Sequence, residues 1–331
     1  GKDRPRYILQ RINQTVFRAV PALMENIVRV TAHLRGKQNP GSELRHDVLT
    51  VIPAADGRYF YHDEKGDYWR CYVFIRHHRS YDRVPGPKLA REGGKVFGAF
   101  LNSLADLPGP PLHETIAAFH DPETHLQRFD ERVAEDPGQR AAAAAAEIAF
   151  VQVRRQEMKR IQRLAEAGKI PRRVTHNDTK FNNILFDEQG RGLCVIDLDT
   201  VMPGYVHYDF GDAVRSGCNP AGEDALDLET VHIDLDLFKA FAEGFLLPLR
   251  ETLNECEMAH LAFAAKLFAF QVGLRFLSDH LAGDGYFKIA YPGHNLQRAR
   301  VQFRLLASME KHFARMEDII GALAGAGPEK C

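Results

Sequence analysis

The stretch His176-Asn177-Asp178-Thr179-Lys180-Phe181-Asn182-Asn183 sets His176, Asp178, Lys180 and Asn183 at positions i, i+2, i+4 and i+7, just ahead of the apolar run Ile184-Leu185-Phe186. Fourteen residues past Asn183, Asp197 interrupts a second apolar run, Cys194-Val195-Ile196-Asp197-Leu198-Asp199. The two runs, joined through the Gln189-Gly190 turn, read as a β-hairpin between the two polar groups. Moving a phosphoryl group from ATP to an alcohol asks little covalent work of a protein. It needs a carboxylate to receive the hydroxyl proton and oxygen ligands for the Mg²⁺ that bridges the phosphates. Asp178 is the candidate base, Asn183 and Asp197 are the candidate metal ligands, and Lys180 is the cation beside the transferring group. His176 reads as a brace for the loop backbone. Any one of these residues alone would pass for a turn former or a helix cap. The combination, at this spacing and followed by a strand-borne Asp, points to chemistry.

The elements that must hold these groups are legible on both sides. Residues 7–12 read as a strand behind Pro5. A helix starts near Pro21 and carries Leu23, Ile27, Val30 and Leu34 up to Gly36. Residues 48–52, 58–61 and 68–75 read as an antiparallel meander. Residues 1–76 therefore suit a small α+β lobe, and 77–331 a larger, mainly helical one. In that part 94–104 is a helix, 141–166 is one long helix built on an alanine run, and 184–186 and 193–196 are strands. Helices return from 234 to 316, with a break at 283–294. The fold class is α+β.

Composition narrows the function. The chain has 331 residues, 45% apolar and 26% charged, with 43 basic against 44 acidic side chains and a net charge of −1. That balance suits a globule with a sizeable core and excludes a dedicated nucleic-acid binder, which shows a basic excess. The longest apolar runs, such as 261–274, are broken by Lys266 and Gln271, short of the roughly 18 uninterrupted residues of a membrane span. Neither nucleic acid nor a membrane is an expected partner. Cys71, Cys194, Cys218, Cys256 and Cys331 are scattered without a CxxC pair, which argues against a disulfide scaffold or zinc ribbon and for a reducing, cytoplasmic setting. The opening residues, Gly1 to Arg6, are polar and unlike a signal peptide.

The catalytic pattern, with Tyr208-Asp209-Phe210-Gly211-Asp212 beyond it, resembles the aminoglycoside phosphotransferase and choline kinase group of small-molecule kinases. The resemblance implies a two-lobed, protein-kinase-like fold with ATP as phosphoryl donor and Mg²⁺ as cofactor. It makes residues 1–76 the nucleotide-binding lobe, 77–331 the catalytic and sugar-binding lobe, and Asp209 a structural anchor of the catalytic loop; the position of Asp199 would also let it approach the metal, and the spacing leaves that open. A closer likeness runs from position 7 to 305. Tyr7-Ile-Leu-Gln-Arg-Ile-Asn13, Leu23-Met-Glu-Asn-Ile27, Phe119-His120-Asp121, residues 174–185, Gly273-Leu-Arg-Phe-Leu-Ser-Asp279 and Gly285-Tyr-Phe-Lys288 resemble N-acetylhexosamine 1-kinases. Those enzymes phosphorylate the anomeric hydroxyl of N-acetylglucosamine and N-acetylgalactosamine, and the likeness implies that Arg275 and Tyr286 bind the sugar. A neutral sugar needs directional hydrogen bonds and an apolar face, which Arg275, Asp279 and Tyr286 with Phe276 or Phe287 can supply. The alternative for Arg275 is an i,i+4 ion pair with Asp279. Arg215 is a weaker acceptor-binding candidate.

Kinases normally aim a strand lysine, held by a helix glutamate, at the nucleotide phosphates. The strand over 7–12 has no lysine, so Arg11 is the expected substitute with Glu25 as its partner. Gln10 competes, because one residue of register decides which side chain faces the cleft. Adenine is expected against 72–75, where backbone groups of Tyr72, Val73 and Phe74 are available to the base. A glycine-rich hairpin over the phosphates would precede Tyr7, and its lack is read as truncation or unresolved residues rather than a natural absence. The rival functions are a kinase for choline, ethanolamine, homoserine or an aminoglycoside, and an inactive kinase-like binding module. A cationic acceptor calls for an acidic or aromatic cage, and the acidic run 223–236 reads as a solvated face.

Overall fold

The computed structural model describes residues 4–38 and 48–325. The first three residues, where a hairpin over the phosphates would join, lie outside that range, as does Cys331. β1 (Tyr7–Arg11), β2 (Val51–Ile52), β3 (Tyr61–His62) and β4 (Tyr68–Val73) form an antiparallel sheet centred on β4. The first strand closes on the last, from Tyr7↔Val73 to Arg11↔Trp69, so the order is not the expected sequential meander. The strands expected at 48–52 and 58–61 shrink to two residues each, because only those reach β4. Side chains alternate along β4: Arg70 and Tyr72 are buried, whereas Trp69, Cys71 and Val73 are half-buried on the other face. α1 (Val20–Gly36) begins with Pro21 in its first turn and turns Leu23, Ile27 and Val30 inward.

The larger lobe is helical. α2 (Pro87–Leu104) packs along α7 (Leu235–Leu246), and glycines set their closeness. A Cβ on Gly244 would overlap the carbonyl of Arg91, and one on Gly94 the carbonyl of Phe241. α9 (Leu261–Leu281) is apolar on every side and runs through the core between α6 (Val206–Gly217) and α10 (His294–Lys311). Its length and composition would allow it to cross a membrane, but 83% of that apolar window is buried inside the protein. The expected single helix over 141–166 is broken. α4 (Ala145–Arg154) ends where Arg154 pairs with Glu310 and Arg155 with Asp130, a short 3₁₀ turn buries Met158, and α5 (Arg160–Glu166) follows in a new direction. Tertiary ion pairs override the helix propensity of the alanines.

Two small ladders lie where the lobes meet. β5 (Arg173–Thr175) pairs with β8 (Met202–Gly204), and β6 (Ile184–Phe186) with β7 (Gly192–Val195). The second ladder is the expected hairpin; the first was not visible in the sequence. One apolar cluster joins the lobes behind them, packing Ile12, Leu23, Ile27 and Tyr72 with Phe100, Leu185, Leu198 and Val201.

Candidate active site

Because β5 pairs with β8 while β6 pairs with β7, the loops 176–183 and 196–201 leave adjacent strand ends and run side by side. Ile196 N–H donates to the Asn183 carbonyl at 2.9 Å, and Thr200 Oγ1 to the His176 carbonyl at 2.7 Å. His176 is buried between them. Its Nε2 lies 2.9 Å from the Ile196 carbonyl, and its Nδ1 accepts from Asp178 N–H at 3.3 Å. Those two contacts select the tautomer protonated on Nε2. Asn177 takes a left-handed backbone (φ 64°), tolerable for Asn, and its amide donates to the carbonyls of Thr200 and Thr175.

Asp209, on α6, holds the loop from beneath. Its carboxylate accepts the N–H groups of His176 at 2.8 Å and Asn177 at 2.7 Å, and Thr179 Oγ1 donates to its carbonyl at 2.6 Å. The group is 0% exposed, and burial pushes its pKa up to about 6. The loop above thereby presents Asp178 to the cleft. Burial works to raise the Asp178 carboxyl, but Lys180 Nζ at 3.0 Å, with His176 and Arg215 behind it, holds the group below the usual carboxylate value. Asn183 Nδ2 donates to the Asp178 carbonyl at 2.8 Å, leaving its amide oxygen without a donor among the described residues.

Asp197 opens the second loop in a left-handed conformation (φ 60°). Its carboxylate has no hydrogen-bond or ion-pair partner among the described residues. Burial, then the charges of Asp199 and Asp178, raise its pKa. An amide oxygen and a carboxylate left free, with crowded negative charge around them, suit a divalent cation. Mg²⁺ ordinarily takes one or two protein carboxylates and completes its shell with phosphate oxygens and water. Accordingly, no three His, Cys, Asp or Glu side chains gather to hold a metal among the described residues.

The small-lobe expectations need correction. Arg11 lies on the outer face of β1, exposed, with Nη1 3.2 Å from Asp67, and Glu25 pairs with His113 at 3.0 Å. The two do not meet. Strand alternation puts Gln10 on the inner face, where its Oε1 accepts from Arg70 Nε at 3.1 Å. Arg70, overlooked in the sequence, is 7% exposed and forks onto both oxygens of Asp199, with Nη2 to Oδ2 at 2.9 Å and Nη1 to Oδ1. Asp199 is thus held by an arginine and not left open toward a metal. An arginine at an inward position between Tyr68 and Tyr72 was the available signal. The N–H groups of Val73 and Phe74 donate to the carbonyls of Thr50 and Arg6 at 2.9 and 2.8 Å, and Tyr72 is buried under Arg70. Those two backbone donors are committed to the protein, unlike the free groups expected for the base.

Beyond the catalytic loop, Arg275 and Tyr286 line one cavity of about 270 Å³ with Phe119, His125 and Phe287. The Arg275 guanidinium lies 5.4 Å from the Phe119 ring and 5.5 Å from the Phe287 ring, and it forms no ion pair among the described residues. The expected alternative partner, Asp279, instead accepts the N–H groups of Tyr286 and Phe287 at 2.8 and 2.9 Å and shapes the loop that carries them. His120, next in sequence to Phe119, is tied to the catalytic loop through its Nε2, 2.8 Å from the Asn177 carbonyl, and the two line a neighbouring cavity of about 410 Å³. Arg215 is buried and bonded to Asp212 and Glu223, and it borders a separate cavity of about 530 Å³ beside Lys180 and Asn182.

A family model described as the phosphotransferase enzyme family matches residues 1–236. Among solved structures, a microcompartment-associated aminopropanol kinase is 20% identical, with a TM-score of 0.62 over 94% of this chain and 87% of that one. An aminoglycoside phosphotransferase from Alicyclobacillus acidocaldarius is 13% identical, with a TM-score of 0.57 over 94% and 88%. A choline kinase from Streptococcus pneumoniae is 14% identical, with a TM-score of 0.51 over 92% and 86%. At these identities the likeness is one of fold, and it is the two-lobed, protein-kinase-like fold expected from the sequence.

Proposed function

Given that the chain belongs to the phosphotransferase enzyme family, we propose that it transfers a phosphoryl group from ATP to the anomeric hydroxyl of an N-acetylhexosamine, in the cytoplasm. The observation that carries the reading is the pairing of Asp178 with Lys180 at 3.0 Å on a loop pinned by Asp209, with the free oxygens of Asn183 and Asp197 beside it. Asp178 aligns the attacking hydroxyl and takes its proton; a carboxyl held below its usual pKa is ionised and ready to do so. Lys180 sets positive charge beside the group in transit. Asn183 and Asp197 would hold Mg²⁺, which neutralises charge on the phosphates when bound.

The acceptor assignment draws on the cavity around Arg275 and Tyr286. A guanidinium stacked between two aromatic rings keeps its donors available for sugar oxygens, and the rings give the ring face of a sugar an apolar floor. The rival reading, an amino alcohol such as those named for the structural neighbours, would use the acidic residues of the cavity beside Lys180. There Glu223 is paired with Arg215, and Asp224 with Arg298 and His294; Asp82 alone has no cationic partner among the described residues, accepting from the Asn182 amide, and Lys180, Arg83 and Arg215 line the same cavity, which disfavours a cationic acceptor. Product analysis with a panel of N-acetylglucosamine, N-acetylgalactosamine, choline, 1-amino-2-propanol and kanamycin tests the proposal. Phosphate on the anomeric oxygen of an N-acetylhexosamine is expected. Arg275→Gln should raise that sugar's KM about ten- to hundredfold, the loss of one charged hydrogen bond worth about 1.5–3 kcal/mol. Turnover of choline or kanamycin without the sugars would remove the acceptor assignment while leaving the kinase.

A further inference from the structure

We propose that Arg70, clamped by Asp199, is the residue that binds the nucleotide's phosphates in place of the absent strand lysine. The proposal rests on ATP being the donor. Gln10 and Arg70 stand directly opposite each other in the β1–β4 register, and residues opposite one another across a ladder share a face. Gln10 occupies the inward position of the edge strand, and Arg70 reaches the same space from the neighbouring strand. Among the described residues before position 77, Arg70 is the one buried cation.

Its guanidinium bridges the sheet to the loop below, because Asp199 lies two residues past Asp197, the group assigned to the metal. It feels the charge of Asp197 as well as that of Asp199. Gln10 and Asp199 occupy three of its five N–H donors, with Tyr72 packed beneath. Two donors remain for a phosphate. Asp199 thus does for Arg70 what a helix carboxylate does for a strand lysine: it fixes the cation's position and lowers the cost of burying it. The end-on fork is taken by Asp199, so the N–H groups left for phosphate oxygens are the outer one on Nη1 and the outer one on Nη2.

The test is calorimetric titration of the full chain with adenosine, AMP, ADP and ATP, with and without Mg²⁺. Arg70→Gln alone strands the Asp199 carboxylate, so the double variant Arg70→Gln/Asp199→Asn, which removes both charges and keeps a polar side chain at each position, is measured beside it. Arg70→Lys and Arg11→Gln complete the set. Expected is a tenfold or larger loss of ADP and ATP affinity in the double variant with adenosine binding unchanged, partial recovery in Arg70→Lys, and wild-type behaviour in Arg11→Gln. Unchanged ATP affinity in the double variant, or an equal loss for adenosine and ATP, overturns the assignment and leaves the kinase reading standing. A wild-type chain that binds no ATP overturns the donor assignment and this proposal together.

Discussion

Replacing Asp209 with asparagine separates two things this residue does. Its buried carboxylate accepts the N–H groups of His176 and Asn177, and burial raises its pKa from 3.8 to about 6. The native state therefore binds its proton at a higher pH than the unfolded chain does. Between about pH 4 and pH 6 the native form carries more protons, so this group makes stability fall as pH rises through that window. A rise of about two pH units, each worth about 1.36 kcal/mol, amounts to about 3 kcal/mol, present at pH 4 and lost by pH 7. Asparagine cannot titrate. The stability difference between wild type and Asp209→Asn, measured by urea unfolding at pH 4 and at pH 7, should move by about 3 kcal/mol in the variant's favour at the higher pH. Other titrating groups cancel in that comparison. Activity should go the other way: His176 N–H and Asn177 N–H bond to different oxygens of the carboxylate, asparagine puts a donating NH2 in place of one of them, the loop carrying Asp178 shifts, and kcat drops by about 10²-fold. A variant with wild-type kcat, or a stability difference that does not depend on pH, would refute this account of the anchor.

Two further outcomes follow from the core. Burial lowers the pKa of His120 and His207 to about 3 and of His125 to about 4, so each is neutral in the fold and charges on unfolding below about pH 6.5. Asp209 offsets one of those three protons, and stability should therefore fall on acidification by about 3 kcal/mol per pH unit near pH 5, where two protons net are taken up on unfolding; a flat profile between pH 6.5 and 4.5 contradicts this. Gly244→Ala drives a methyl into the Arg91 carbonyl at the α2–α7 contact, and should lower stability by about 1–3 kcal/mol or more in thermal unfolding with no change in nucleotide affinity. An unchanged melting temperature would mean the two helices are not held that closely.

The loop 176–183 and the Asp197 loop were legible because their chemistry is local: polar types at fixed spacing beside short apolar strands. Asp209 could be assigned because a short motif carries it. What failed was decided by partners far away in sequence. Arg11 is on the wrong face of its strand, and only the register with β4 reveals that Gln10 faces inward beside Arg70. The helix over 141–166 breaks because Arg154, Arg155 and Met158 find different neighbours. Arg275 is free of Asp279 because that carboxylate caps the loop holding Tyr286 and Phe287, a contact no i,i+4 rule anticipates.

Asp178→Asn puts the central claim to its most direct test. The substitution keeps the shape and removes only the group that takes the acceptor's proton, so turnover should fall by about 10²–10⁴-fold while the affinity for Mg²⁺–ATP, measured by calorimetry, stays within about threefold of wild type. Turnover near the wild-type level would show that proton removal does not run through Asp178, and the mechanism described for this cleft would be wrong.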